Sequence, residues 1–233
     1  MAEGASEAPR GLVVIGASAG GIEALRELVA GLPADLPAAV LVVVHVPPTG
    51  TSVLPVILSR RGPLPARHAE DGAELRAGQL LVAPPDRHLV VIDRGVGLTR
   101  GPQENGHRPA VDVLFRSAAR AWGSRVMAVV LSGALDDGAA GVVAVKRRGG
   151  RCVVQSDALF DGMPAAAIRA DHPDAELPVA DIPGQLTEWL GALPEDPGPP
   201  VPERIENETD PVSRPVSAVR TVPVRSTGST TAP

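Results

Sequence analysis

An α/β fold with a mostly parallel central sheet is what this sequence predicts, on three observations. From Gly11 to about Leu193, short runs rich in Val, Ile and Leu alternate with amphipathic stretches. The runs are apolar at every position instead of every second one, as strands covered on both faces are. Several of them stop abruptly at Gly, Ser or His and pass into turn residues, after which helical patterning resumes.

Taken in order, the run Leu-Val-Val-Ile predicts a strand over 12–15, and the small-residue turn Gly16-Ala-Ser-Ala-Gly-Gly21 leads into a helix over 21–30. A second apolar run predicts a strand over 39–46, followed by a helix over 52–60 that stops near Gly62-Pro63. Between Gly62 and Gly106 turn residues are frequent, so this stretch reads as an inserted set of short, partly antiparallel strands, with 79–83 and 88–92 as candidates. Regular alternation then resumes with helix 110–122, strand 125–131, helix 138–148 and strand 151–155. Helices over 164–170 and 183–190 open on prolines, whose fixed φ suits a first helical turn.

Residues 1–10 and 194–233 are expected to be disordered, leaving 11–193 as one domain. The run Pro194-Glu-Asp-Pro-Gly-Pro-Pro-Val-Pro202 opens a tail rich in Pro, Ser, Thr and charge, which buries too little surface to offset its chain entropy. The 233 residues are 44% hydrophobic, enough for one good core. A net charge of -5 with scattered arginines leaves no electrostatic footprint for nucleic acid. No apolar leader and no run long enough to span a bilayer is present, so no membrane insertion and a cytoplasmic location are expected. The single cysteine, Cys152, lies in a strand-like run and reads as a small buried hydrophobe. His68, His88, His107 and His172 show no metal-ligand spacing, and neither a metal nor a cofactor is expected.

Chemistry concentrates where apolar runs end. Gly16-x-Ser18-x-Gly20 has the spacing of a nucleophile elbow, in which a sharp strand-to-helix bend presents a hydroxyl. A glycine-rich phosphate loop is the competing reading. It fits less well, because Ser18 takes the place of the second glycine in G-x-G-x-x-G and the Lys-Ser/Thr ending of a P-loop is lacking. His45 follows Ala39-Val-Leu-Val-Val-Val44, and Asp136 and Asp137 lie in the loop after Val126-Met-Ala-Val-Val-Leu131. Parallel sheets place their ligand sites at such strand ends. Each residue alone has a plain structural role available, as a helix cap or a hydrogen-bonded loop residue. A Ser, a His and an acid at three strand ends together point to nucleophilic catalysis. Their chain order, Ser18, His45, Asp137, is not that of an ordinary α/β-hydrolase.

Six motifs in order resemble the catalytic domain of the CheB-type protein-glutamate methylesterases. They are Gly16-Ala-Ser-Ala-Gly-Gly21, His45-Val-Pro-Pro48, Ala83-Pro-Pro-Asp-Arg-His88, His107-Arg-Pro-Ala-Val-Asp-Val-Leu-Phe115, Leu131-Ser-Gly-Ala-Leu-Asp-Asp-Gly-Ala-Ala-Gly141 and Gly162-Met-Pro164. The resemblance implies a three-layer α/β/α domain that hydrolyses glutamyl methyl esters on the cytoplasmic helices of methyl-accepting chemoreceptors, often with deamidation of receptor glutamines. It puts the nucleophile on Ser18, the base on His45 and the orienting acid on Asp137, with Asp136 in a variable slot. Backbone N–H groups of Ala19 and Ala134 would serve the oxyanion, since an amide donor is indifferent to its own side chain. The chain departs from the family at Ala19, Val44 and Ala134-Leu135, where members commonly carry Thr, Gln and Met-Gly. About ten residues precede the first strand, so a separate regulator would stand in for the family's receiver domain. A binding module that holds a receptor-like partner in the same cleft without turnover is the alternative these departures leave open, and esterase or amidase action on a small molecule is a weaker third.

Overall fold

The computed structural model describes residues 8–47 and 52–194. In chain order the elements are β1 (Gly11–Ala17), α1 (Gly21–Gly31), β2 (Ala38–Val44), α2 (Leu54–Arg61), β3 (Ala66–His68), β4 (Leu80–Val82), β5 (His88–Ile92) and β6 (Gly95–Thr99). They continue with α3 (Val111–Trp122), β7 (Val126–Val130), α4 (Ala139–Arg147), β8 (Arg151–Gln155), α5 (Gly162–Ala170), β9 (Ala175–Leu177) and α6 (Ile182–Gly191). Seven strands form one sheet in the order β3-β4-β2-β1-β7-β8-β9. Every neighbouring pair in it is parallel.

All seven residues of β1 and of β2 are buried, as the unbroken apolar runs require. Alternate residues point to opposite layers. Leu12, Val14, Leu41 and Val43 pack with Leu114 and Phe115 of α3, Val142 and Val145 of α4 and Met163 of α5. Val13, Ile15, Val40 and Val42 pack with Leu25 and Leu28 of α1, Leu58 of α2 and Leu186 and Trp189 of α6. Each fully buried aliphatic side chain contributes about 1.5–3 kcal/mol, so these two cores dominate the stabilisation. The result is the three-layer α/β/α arrangement.

The stretch after Gly62 divides differently from the expectation. β3 and β4 join the main sheet as parallel strands, whereas β5 and β6 form a separate antiparallel pair. β3, β6 and β9 had no strand signal. β3 and β9 are three-residue edge strands whose residues are only partly buried, too short and too polar to show a period. β2 ends at Val44, two residues before the expected end, since His45 leaves the strand. The segments 1–10 and 194–233 lie outside the described residues except for 8–10 and 194.

The chain runs outward from β1 through β2 on one side and through β7 on the other. Loops leaving the C-terminal ends of β1 and β7 therefore diverge at the sheet's switch point, where open α/β sheets form their clefts. Ser18 follows β1, His45 follows β2, and Ser132–Gly138 follows β7.

Candidate active site

Ser18 is the first residue beyond β1, and its amide donates to the Ser132 carbonyl at 3.0 Å while its own carbonyl accepts from the Gly21 amide at 2.9 Å. Gly20 closes the turn at φ 72°, a left-handed conformation that costs an L-residue about 1–2 kcal/mol. Gly16 has a different reason. A Cβ there would lie 2.3 Å from Val111 Cγ1, so this glycine admits α3 against β1 and does not shape the bend. Gly133 faces the serine, and a Cβ on it would sit 3.0 Å from Ser18 Cβ and 2.1 Å from Met163 Sδ.

The His45 amide still reaches back to the Ala17 carbonyl at 3.2 Å. Its side chain is only 7% exposed. Nδ1 lies 3.1 Å from Ser18 Oγ, and Nε2 lies 2.7 Å from Asp137 Oδ2. An ionised carboxylate only accepts, so Nε2 carries the proton and the Nδ1 lone pair is turned toward the serine hydroxyl. Asp137 is 1% exposed, whereas Asp136 is exposed. Oδ2 of Asp137 also accepts from the Val111 amide at 2.7 Å, and Oδ1 from the Asp112 amide and the Asn105 side chain, both at 3.0 Å. Those two amides are the first of α3, so the carboxylate sits on a helix N-terminus, where the dipole favours an anion. Burial pushes the Asp137 pKa up, but hydrogen bonds from His45, Asp112, Val111 and Asn105 outweigh it and hold the group below the ordinary carboxylate range.

Three contributors, His107, Asn105 and Asp112, had been given no role in the site by the sequence reading. The His107 ring stacks on His45 with centroids 3.6 Å apart and planes 7° from parallel. Burial, then the neighbouring His45, depress its pKa against the pull of Asp137. Asn105 donates through one nitrogen to Asp137 Oδ1 and, at 2.8 Å, to Asp112 Oδ2. Asp112 in turn accepts from the Gly141 amide in the first turn of α4 at 2.6 Å, and burial raises its pKa. The His107 to Phe115 motif was legible; its contacts were not, because Asn105 sits in a polar turn without periodicity.

The other motifs brace this loop. His88 accepts the Ala110 amide on Nδ1 at 3.2 Å and turns Nε2 toward the Pro102 carbonyl at 2.9 Å. Arg108 grips Asp86 at 2.6 and 2.8 Å and donates to the Gly101 carbonyl at 2.8 Å. Across the cleft, the Ser132 hydroxyl donates to the Ala19 carbonyl at 2.8 Å and accepts the Phe160 amide at 3.0 Å. Among the described residues, the Ala19 and Ala134 amides make no hydrogen bond. Leu159 and Phe160 flank Gly20, since a Cβ on that glycine would meet both, and with Leu135 they form an exposed apolar rim. No group of three or more His, Cys, Asp or Glu among the described residues is placed to hold a metal ion. Nor is any helix among them long and apolar enough to cross a membrane.

Comparison with known proteins places this geometry in context. A model of the CheB methylesterase family matches residues 13–186. A "Protein-glutamate methylesterase/protein-glutamine glutaminase 2" of Methanosarcina acetivorans is 38% identical over 194 residues, covering 79% of this chain and 54% of its own. A protein of the same description from Symbiobacterium thermophilum is 40% identical over 186 residues, 78% of this chain and 51% of its own. The chain thus spans about half the length of the curated relatives it matches. The crystal structure of the Thermotoga maritima CheB methylesterase catalytic domain superposes with a TM-score of 0.73 at 35% identity, over 76% of this chain and 97% of that one.

Proposed function

The chain belongs to the CheB methylesterase family, and on that premise we propose that it is a serine hydrolase removing methyl esters from protein glutamyl residues, with glutamine deamidation by the same route. The observation that supports it most is the unbroken line Ser18 Oγ, His45, Asp137 at 3.1 and 2.7 Å. In this reading the Ser18 oxygen attacks the ester carbonyl as its proton passes to His45 Nδ1. The imidazolium so formed is stabilised by Asp137 through Nε2–H. Negative charge on the tetrahedral oxygen falls to the Ala19 and Ala134 amides. His45 returns the proton from Nδ1 to the departing methoxide, methanol leaves, and an acyl group remains on Ser18. Water, deprotonated by the same nitrogen, then releases the glutamate; with a glutamine substrate the leaving group is ammonia. The substrates are the cytoplasmic helices of methyl-accepting chemoreceptors, which puts the reaction in the cytoplasm.

A fluorophosphonate probe tests the nucleophile. Covalent label confined to the Ser18 peptide, absent from Ser18→Ala and strongly slowed in His45→Ala, is expected, because general-base assistance is worth ~10² to 10⁴ in rate. Undiminished demethylation of a methylated receptor by Ser18→Ala would overturn the assignment. An unlabelled Ser18 in a chain that still binds receptor would point to a binding module instead.

A further inference from the structure

We infer that the groove between α1 and α2 is a docking surface for an acidic helical segment of the protein substrate, read through Arg60 and Arg61; this rests on the hydrolase reading above. The groove encloses about 480 Å³ and is lined by Ile22, Glu23 and Arg26 of α1 and Ile57, Arg60 and Arg61 of α2. Its α1 wall starts at Ile22, in the first turn of the helix that follows Ser18 in the chain. Both helices run away from the C-terminal edge of the sheet. A Cβ on Gly62, just past α2, would lie 2.3 Å from the Val29 carbonyl near the end of α1, so the two pack side by side in the same direction.

Apolar floor and charge together define the occupant. The apolar lining is Ile22, 38% exposed, and the half-buried Ile57; outside the lining, Val53 before α2 and Val56 on it are also exposed. Arg26 is already paired with Glu23 at 2.9 Å. Arg60 and Arg61 are exposed and, among the described residues, make no ion pair. Their place in the last turn of α2 suits that helix's dipole, yet leaves two guanidinium forks free to donate to carboxylates. α2 carries no acidic residue to compete for them. A basic, apolar-floored groove on a chain of net charge -5 selects an amphipathic acidic helix over a polyanion that needs a broad basic face.

The test uses the full chain and two synthetic helical peptides, each with one glutamyl methyl ester, flanked by glutamates in one and by glutamines in the other. The wild type is expected to favour the acidic peptide, with a preference that fades as salt rises. The double variant Arg60→Ala/Arg61→Ala should raise KM for the acidic peptide roughly three- to tenfold, with kcat within about twofold and hydrolysis of a short aryl ester unchanged. Arg60→Glu/Arg61→Glu should reverse the preference. Equal KM values for the two peptides, or an unaltered KM in both variants, would overturn the inference. Binding of the same peptides to Ser18→Ala, read by fluorescence anisotropy, reports docking without turnover. Tight, arginine-dependent binding without hydrolysis by the wild type would sink the hydrolase reading and leave the surface standing, whereas arginine-independent turnover would do the reverse.

Discussion

Asp137 divides its work between two oxygens. Oδ2 takes the protons of His45 Nε2 and the Val111 amide, and Oδ1 those of Asp112 and Asn105. An asparagine there keeps the shape but offers a donor where only acceptors fit, so His45 is held in the wrong tautomer. Asp137→Asn is therefore expected to lower kcat by about 10³- to 10⁴-fold, and the exposed Asp136→Asn to leave it near wild type; steady-state demethylation separates them, and the opposite ranking would reassign the acid. The same carboxylate sets a pH dependence. Its folded pKa lies below its unfolded one, so its contribution to stability is complete above the ordinary carboxylate range and is lost as pH falls through the depressed folded value. The stability gap between wild type and Asp137→Asn, measured by denaturant unfolding, should be widest near neutrality and close in acid. His107 acts on the neighbouring ring by contact. Stacking of this kind is worth about 0.5–1.5 kcal/mol, so His107→Ala should cut kcat about two- to tenfold, and His107→Phe, which keeps a ring, should recover most of the loss.

At the scale of elements, α3 and α4 cap one another at long range. Asp137, one residue before the Gly138 cap of α4, holds the first amides of α3, and Asp112, in the first turn of α3, holds the Gly141 amide of α4. Neither helix has a capping side chain at its own N-terminus. Local signals therefore found both helices from their apolar faces, but the residue that fixes how they start lies 25 to 29 positions away. Glycine roles divide in the same way. The elbow spacing was visible, but that Gly16 makes room for Val111 required α3 to be in place. Gly16→Ala is expected to cost about 1–3 kcal/mol by overpacking, seen as a lowered denaturation midpoint. Leu135 offers the opposite case. It is a leucine at φ 66° with its side chain 69% exposed, so it carries left-handed strain with little packing in return. Leu135→Gly should raise stability by up to about 1 kcal/mol, with a shift of the unfolding midpoint as the readout.

Over the whole molecule, Cys152 reports on the integrity of the sheet. It is fully buried in β8, between β7 and β9, and burial pushes its thiol pKa up to about 12. A thiolate-specific reagent should leave the native chain unmodified at neutral pH and label it at the rate of global unfolding in denaturant. Fast native labelling would mean that this half of the sheet opens locally.

Residue order alone determined the α/β class, the main buried strands and the amphipathic helices, because burial on two faces and helical periodicity are local properties of the chain. It also marked Ser18, His45 and the pair Asp136 and Asp137, since polar residues after apolar runs stand out from their neighbours, and the resemblance to the family singled out Asp137. Tertiary structure decided which way the imidazole faces, the stacking of His107, the Asn105 bridge and the meeting of α1 with α2. The two His45 bonds join residues 27 and 92 positions apart, and a hydrogen bond across such a separation leaves no periodicity in the strands and helices it joins.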